Sequence, residues 1–261
     1  MNPQIHKLLY KRKYSLGRAS SSDKVRSLIR EIRPKIFAGG LIRFGGDCDG
    51  GYLVPDDLKG INAIFSPGVG ASSRFELELS AGEIPIYQVD ATVDEPANGP
   101  TNVYFERKNL ACINSYDSIR LETWVTKYQP SSSELLLQMD IEGAEYSVIL
   151  DTPISILNKF RIVLIEFHAL DNLFNKHLFD LYRQVFQKLL ETHVVVHIHP
   201  NNNDGMIALD GLEVPRLLEF SFLRKDRFIE GSKFIGFPHP ADRTNNPQKK
   251  DIQPPRVWYS D

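Results

Sequence analysis

Three short stretches set acids and histidines where chemistry could use them. Leu135-Leu136-Leu137-Gln138-Met139-Asp140 runs into Ile141-Glu142-Gly143-Ala144-Glu145, so an apolar run ends in one acid and two more follow. A second apolar run ends in Glu166-Phe167-His168, and a third in His197-Ile198-His199-Pro200-Asn201-Asn202-Asn203. Glu166 and His168 are two apart, as are His197 and His199, so in strands each pair shares a face. Carboxylates and imidazoles on one rim can bind a divalent metal or move protons near neutral pH. The simpler reading of the first stretch is a helix N-cap, with Asp140 as cap and Glu142 and Glu145 in a first turn that favours negative charge.

A fourth stretch offers a ligand cradle. Ala63-Ile64-Phe65 runs straight into Ser66-Pro67-Gly68-Val69-Gly70, and a helical pattern follows. Glycines at such a turn let the backbone approach a ligand, and a following helix start offers free N–H groups. Asp90 closes the next apolar run, twenty residues after Gly70. A carboxylate there can accept hydrogen bonds from the ribose hydroxyls of an adenosine. This logic serves several adenosine cofactors and does not choose between them.

Positioning these groups requires strands alternating with helices. Buried strands are expected at 63–66, 84–89, 103–105, 135–139, 162–167 and 194–198, and helices at 72–81, 119–127, 142–150 and 178–190. That alternation implies an α/β fold, a mostly parallel sheet with helices on both faces. The run 217–223 alternates with period two, as a half-exposed strand does, and is expected to enter the sheet antiparallel. Its insertion between the fifth and sixth strands would move the later histidines away from Asp140. A helix is expected over 23–32 with Ser22 or Asp23 as N-cap, and a glycine-rich hairpin over 41–55.

The 261 residues fit one large domain with appendages: a basic N-terminal arm and helix (1–40), the α/β domain (41–237) and a proline-rich tail (238–261). The arm reads as mobile or as a contact to an anionic surface or substrate, and the tail as extended or mobile, with Trp258 and Tyr259 available to pin its end. A net charge of only −2 argues against a dedicated nucleic-acid binder. No apolar run has the length of a membrane span, and the start lacks the apolar core of a secretory signal. Two cysteines, Cys48 and Cys112, make no disulfide framework and favour a reducing cytoplasm. Nothing here sets the oligomeric state.

The chain resembles the FkbM-type methyltransferases dependent on S-adenosylmethionine (SAM). Asp140-Ile141-Glu142-Gly143-Ala144-Glu145 is similar to that family's signature. Arg43, Gly45, Asp49, Gly50, Gly51 and Tyr52 resemble its early glycine-rich segment. Glu166–His168 and His197, His199, Asn201 and Asn202 resemble its later motifs. The resemblance spans roughly 41–224. It implies a class I, Rossmann-like methyltransferase fold and methyl transfer from SAM to a hydroxyl of a sugar, glycan or related natural product.

By carry-over, Ser66, Gly68 and Gly70 would meet the methionine end of SAM, Asp90 its ribose and Asn109 its adenine. Ser66 stands where many class I enzymes have an acid, and Ser72 replaces a third glycine. The carboxylate orienting the methionine part would then come from the Asp49–Gly50 turn or from Asp140. His168 is the expected base, with Asp140 and Glu142 beside the reacting groups. Asp140, Glu166 and His199 are the expected ligands of an assisting ion such as Mg or Mn. Two other readings stand beside this one: a nucleotide-dependent oxidoreductase using the same glycine loop, and a non-catalytic SAM-binding module.

Overall fold

Seven of the apolar runs join one sheet in the computed structural model, which describes residues 17–70, 74–80, 84–96, 102–232 and 236–261. The strands, in chain order, are β1 (Ala63–Pro67), β2 (Ile86–Val89), β3 (Val103–Glu106), β4 (Leu135–Met139), β5 (Phe160–Phe167), β6 (His193–Pro200) and β7 (Leu218–Arg224). Their spatial order is β6-β7-β5-β4-β1-β2-β3. The β1, β2, β3, β4 and β5 pairings are parallel, whereas β7 runs antiparallel to both neighbours. This is the α/β, mostly parallel architecture with an antiparallel last strand that the sequence implies.

The helices are α1 (Ser22–Glu31), α2 (Arg74–Ser80), α3 (Leu121–Tyr128), α4 (Glu145–Asp151), α5 (Ile154–Leu157) and α6 (Lys176–Thr192). Alternate residues of each strand feed two cores. Ala63 and Phe65 point into the larger one with α1 and α3 to α6, while Ile64 points into the other. That second face is covered by α2 and by the hairpin Leu41–Phe44/Tyr52–Pro55, so a hairpin does work expected of helices.

Several expectations are corrected. The cap of α1 is Ser21, whose side chain accepts from Lys24 N, one residue before the expected position. Helix α4 begins at Glu145, because Glu142 and Gly143 have φ of 57° and 106°, outside the right-handed helical region. Asp140 therefore caps no helix. Strand β7 is buried along its whole length rather than half exposed. The expected helix over 72–81 is seen from Arg74 to Ser80; its other positions and residues 1–16 of the basic arm lie outside the described residues.

The antiparallel entry of β7 has a local cause. Strand β6 leads into a second hairpin, Met206–Leu209/Leu212–Pro215, whose turn places Asp210 and Gly211 at φ of 49° and 71°. Hairpin turns favour Asp-Gly in that conformation. A short return connection can bring the chain back only antiparallel, since a parallel return needs a long crossover.

The tail packs on the body. Trp258 is buried and its indole N–H donates to Glu213 O at 3.0 Å, while the Arg33 guanidinium holds Val257 O, Ser260 O and Asp261. At the carboxyl edge the closest approach is between Gly68 and the chain after β4. A Cβ on Gly68, at φ +88°, would lie 1.6 Å from Asp140 O. Gly68→Ala should therefore cost about 3 kcal/mol or more. Urea unfolding would show this as a lower midpoint at unchanged slope; an unchanged midpoint would refute the close packing.

Candidate functional site

The glycine loop and the Asp140 turn are stitched to each other. Gly68 N donates to Val89 O at 3.1 Å and Asp140 N to Pro67 O at 3.3 Å. Val69 N donates to Asp90 Oδ2 at 2.8 Å, and Thr92 N and Oγ both donate to Asp90 Oδ1 at 2.6 Å. Asp90 thus sits at the end of β2, half-buried and fixed, yet an ionised carboxylate has about four acceptor positions and keeps room for a ligand hydroxyl.

Ser66 does not face that room. It is buried, with Oγ at 2.6 Å from Glu76 Oε1 and 2.7 Å from Gln138 Oε1, so only its backbone is left for a ligand. The sequence reading missed Glu76, which brings an acid beneath the loop from α2. Burial raises the Glu76 carboxyl above its ordinary range, partly offset by the Ser66 hydroxyl. Gly70 is exposed, and so is Asn109, which lies on a two-residue strand paired with Ser118–Ile119.

The second half of the site hangs on Glu145. Its side chain has no exposure. Oε1 accepts from Ile141 N at 3.2 Å and Gly143 N at 3.1 Å, and lies 3.0 Å from His168 Nδ1. The other imidazole nitrogen, Nε2, faces Glu142 Oε2 at 3.4 Å and Asp140 Oδ1 at 3.7 Å. A left-handed residue, Ala169 at φ 51°, turns the chain immediately after His168, and Tyr146 Oη donates to His168 O. Burial works against a charged His168, but Glu145 and then Asp140 and Glu142 raise its pKa above the ordinary value. Burial raises Asp140 in turn, with His168 opposing, and Asp140 Oδ1 is buried without a hydrogen bond.

Asp49, Asp140, Glu142, Glu166 and His168 line one cleft with Asn201, Asn203 and Asp204. Glu166 is buried, and burial together with Asp140 and Glu219 pushes its carboxyl well above the usual range. Asn201 Nδ2 donates to Glu166 Oε1 at 2.8 Å and to Asp49 Oδ1 at 3.1 Å.

His199 is not in this cleft, which corrects the expected ion site of Asp140, Glu166 and His199. Strand β7 separates β5 from β6, so two strand spacings, ~10 Å, intervene. Among the described residues, the group whose ligand atoms lie within 4.8 Å of one another is Asp140, Glu142 and His168. His199 instead shares Asp242 of the tail with His197: His197 Nε2 is 2.8 Å and His199 Nδ1 3.6 Å from Asp242 Oδ1. No sequence signal marked Asp242, since it lies in a polar, proline-rich stretch. Glu145 and Asn201 did lie in recognised motifs, but only the structure shows what they hold.

The family model described as Methyltransferase FkbM domain matches residues 83–191. Among solved structures, one of a fibrillarin/Nop5p complex is 10% identical, with a TM-score of 0.37, covering 64% of this chain and 74% of its own. Magnesium protoporphyrin IX methyltransferase from Synechocystis PCC 6803 with bound SAM is 12% identical, with a TM-score of 0.29, covering 65% and 72%. Likeness this distant carries no argument. No curated protein matches the sequence.

The Asp242 clasp makes stability depend on pH. Burial opposes a charged His199, but Asp242 and Glu219 outweigh it and raise the imidazole to about 9 from an ordinary 6.5. Burial also opposes a charged Asp242, but His197 and His199 outweigh it and hold the carboxyl well below its ordinary range. A raised histidine stabilises fully below its unfolded pKa and loses that contribution as pH rises through the folded one; a depressed acid stabilises above its unfolded pKa. Resistance to urea should therefore fall from pH 6.5 towards 9. In Asp242→Asn that fall should shrink, and equal falls in both proteins would exclude the clasp. Residues 83–191, which carry Asp90, Asp140, Glu145 and His168, match the FkbM methyltransferase domain.

Proposed function

We propose that the protein moves a methyl group from SAM to a hydroxyl of a sugar, glycan or related natural product, with 41–237 as the catalytic unit. The observation that carries this reading is His168, anchored through Nδ1 by a fully buried Glu145 and presenting Nε2 to a polar cleft. A hydroxyl in that cleft must lose a proton as it is methylated, and an imidazole held in one orientation can take it. SAM, when bound, supplies the methyl group as an electrophile.

The residues present fit that cofactor. Asp90 retains acceptor capacity for ribose hydroxyls, and the exposed Gly70 lets the backbone come close while Gly68 makes room for Asp140 O. Asp140 and Glu142 flank His168 Nε2, where they orient the hydroxyl and favour an imidazolium once the proton has moved. Two free cysteines and the lack, among the described residues, of any helix long and apolar enough to cross a membrane fit a cytoplasmic enzyme.

A second reading of the same trio rests on its convergence. Asp140, Glu142 and His168 would together bind a divalent ion such as Mg or Mn, lowering the pKa of the acceptor hydroxyl in place of a base.

Calorimetry should show SAM binding and no NAD binding, which separates methyl transfer from nucleotide-dependent oxidoreduction. His168→Ala should keep SAM affinity and lose about a hundredfold or more in methyl transfer to a panel of sugar hydroxyls. Exhaustive chelation of the wild-type protein distinguishes the two readings: loss of activity restored by Mn favours the ion, unaffected activity the free imidazole. Methyl transfer surviving both the substitution and chelation would refute both. SAM binding without turnover on any hydroxyl would instead point to a binding module.

A further inference from the structure

The C-terminal segment lies outside both the recognised motifs and the matched span 83–191, yet it reaches the cleft. Asn245 is buried at 3% exposure. Its Nδ2 donates to Asp49 Oδ1 at 3.1 Å and to Glu219 Oε1 at 2.7 Å, and its carbonyl accepts from Asp49 N at 3.1 Å. Asp49 stands at the tip of the 41–55 hairpin, where Gly45, Gly46 and Gly50 all have positive φ and no apolar side chain ties the turn down. Neighbouring contacts extend the seam. Asn246 Nδ2 donates to Asn203 Oδ1 at 2.9 Å, Lys249 Nζ to Asn203 O at 2.7 Å, and Arg243 pairs with Asp47 at 3.2 Å.

Asp49 is held without being neutralised. Its partners are the carboxamides of Asn201, Asn203 and Asn245, and no described Lys or Arg pairs with it. The nearby Arg43 guanidinium is turned to Gly46 O and Cys48 O instead. Three donors fill three of about four acceptor positions, so one remains for a charged N–H donor. Asp49 shares its cleft with Asp140, whose backbone abuts Gly68 at the glycine turn. It is not in the converging trio that could hold a metal.

We propose that the C-terminal segment 242–249 is a built part of the cofactor site: through Asn245 it holds Asp49 in position to receive the α-ammonium of the methionine moiety. Asn245 is then a positioning residue, and Asp49 the group that touches the cofactor. This rests on the reading that SAM is the cofactor. It also accounts for the missing acid at Ser66, because the carboxylate comes from the hairpin rather than from the first strand.

Two ligands test it in the full chain by calorimetry. S-adenosylhomocysteine carries the amino-acid moiety, and 5′-methylthioadenosine has the same adenosine without it. Asp49→Asn and Asn245→Ala should each weaken S-adenosylhomocysteine about tenfold or more, as expected for loss of a charge-assisted hydrogen bond. Both variants should leave 5′-methylthioadenosine within about twofold. Equal weakening of both ligands would mean a general disturbance of the pocket and overturn the proposal, as would unchanged S-adenosylhomocysteine affinity. Should Asn245→Ala not fold, Asn245→Gln keeps the carboxamide one methylene further out, and the same selective loss is expected. Wild-type protein binding both ligands equally well overturns the ammonium contact while the cofactor reading stands; wild-type protein binding neither removes the cofactor reading itself.

Discussion

The site depends on one buried carboxylate. Glu145 has no contact with solvent, so its hydrogen bonds come from within, and all of them fall on Oε1 while Oε2 is buried without a partner. Two of its donors are backbone N–H groups of the turn it follows, Ile141 and Gly143, and the third partner is His168. With Glu142 and Gly143 in left-handed conformations the turn could not hold itself by helical hydrogen bonds. Glu145 replaces those bonds and orients the imidazole with the same oxygen. The turn after β4 and the residue after β5 are therefore one mechanical unit, and the Gly68–Asp140 approach joins β1 to it.

The cleft beside this unit holds more carboxyl groups than cationic partners. Glu166 and Asp140 both have raised pKa values, because burial and neighbouring acids penalise their charged forms. Carboxamides hold these acids in place: Asn201 bridges Glu166 and Asp49, and Asn245 bridges Asp49 and Glu219. An arginine in either position would have bound as firmly and cancelled the charge. Neutral amides keep the geometry and leave the field, a costly arrangement for stability alone and a useful one for a cationic ligand.

The parts of the fold legible in the sequence are those whose burial matches their composition. Leu135–Met139 and Phe160–Phe167 are buried on both faces and read as unbroken apolar runs. Strand β7 reads as half exposed in the sequence because Glu219 and Ser221 interrupt it. Both are buried and satisfied, Ser221 by Leu53 O and Glu219 by Asn245, partners far away in sequence. The tail reads as extended or mobile in the sequence because its anchors are polar: Asp242, Asn245 and Asn246 form no periodic pattern. The motif residues Asp140, Glu142, Glu166 and His168 stand out in the sequence and line one cleft. The role of Glu145 was not legible, because a helix-start acid and a buried clamp look alike in sequence.

The misplacement of His199 shows how topology redirects a motif. Once β7 inserts antiparallel between β5 and β6, its residues intervene in register: Glu219 pairs with Glu166 on one side and with His199 on the other. The row Glu166–Glu219–His199 thus runs across three strands from the cleft to the tail. A buried acid in the middle of that row needs a partner, and His199 and Asn245 supply one each. His199 is in turn raised by Asp242, which fixes the tail where Asn245 can reach Asp49. His199, expected at a metal site, therefore acts with His197 at one remove: the two hold Asp242 and so fasten the segment whose Asn245 reaches Asp49.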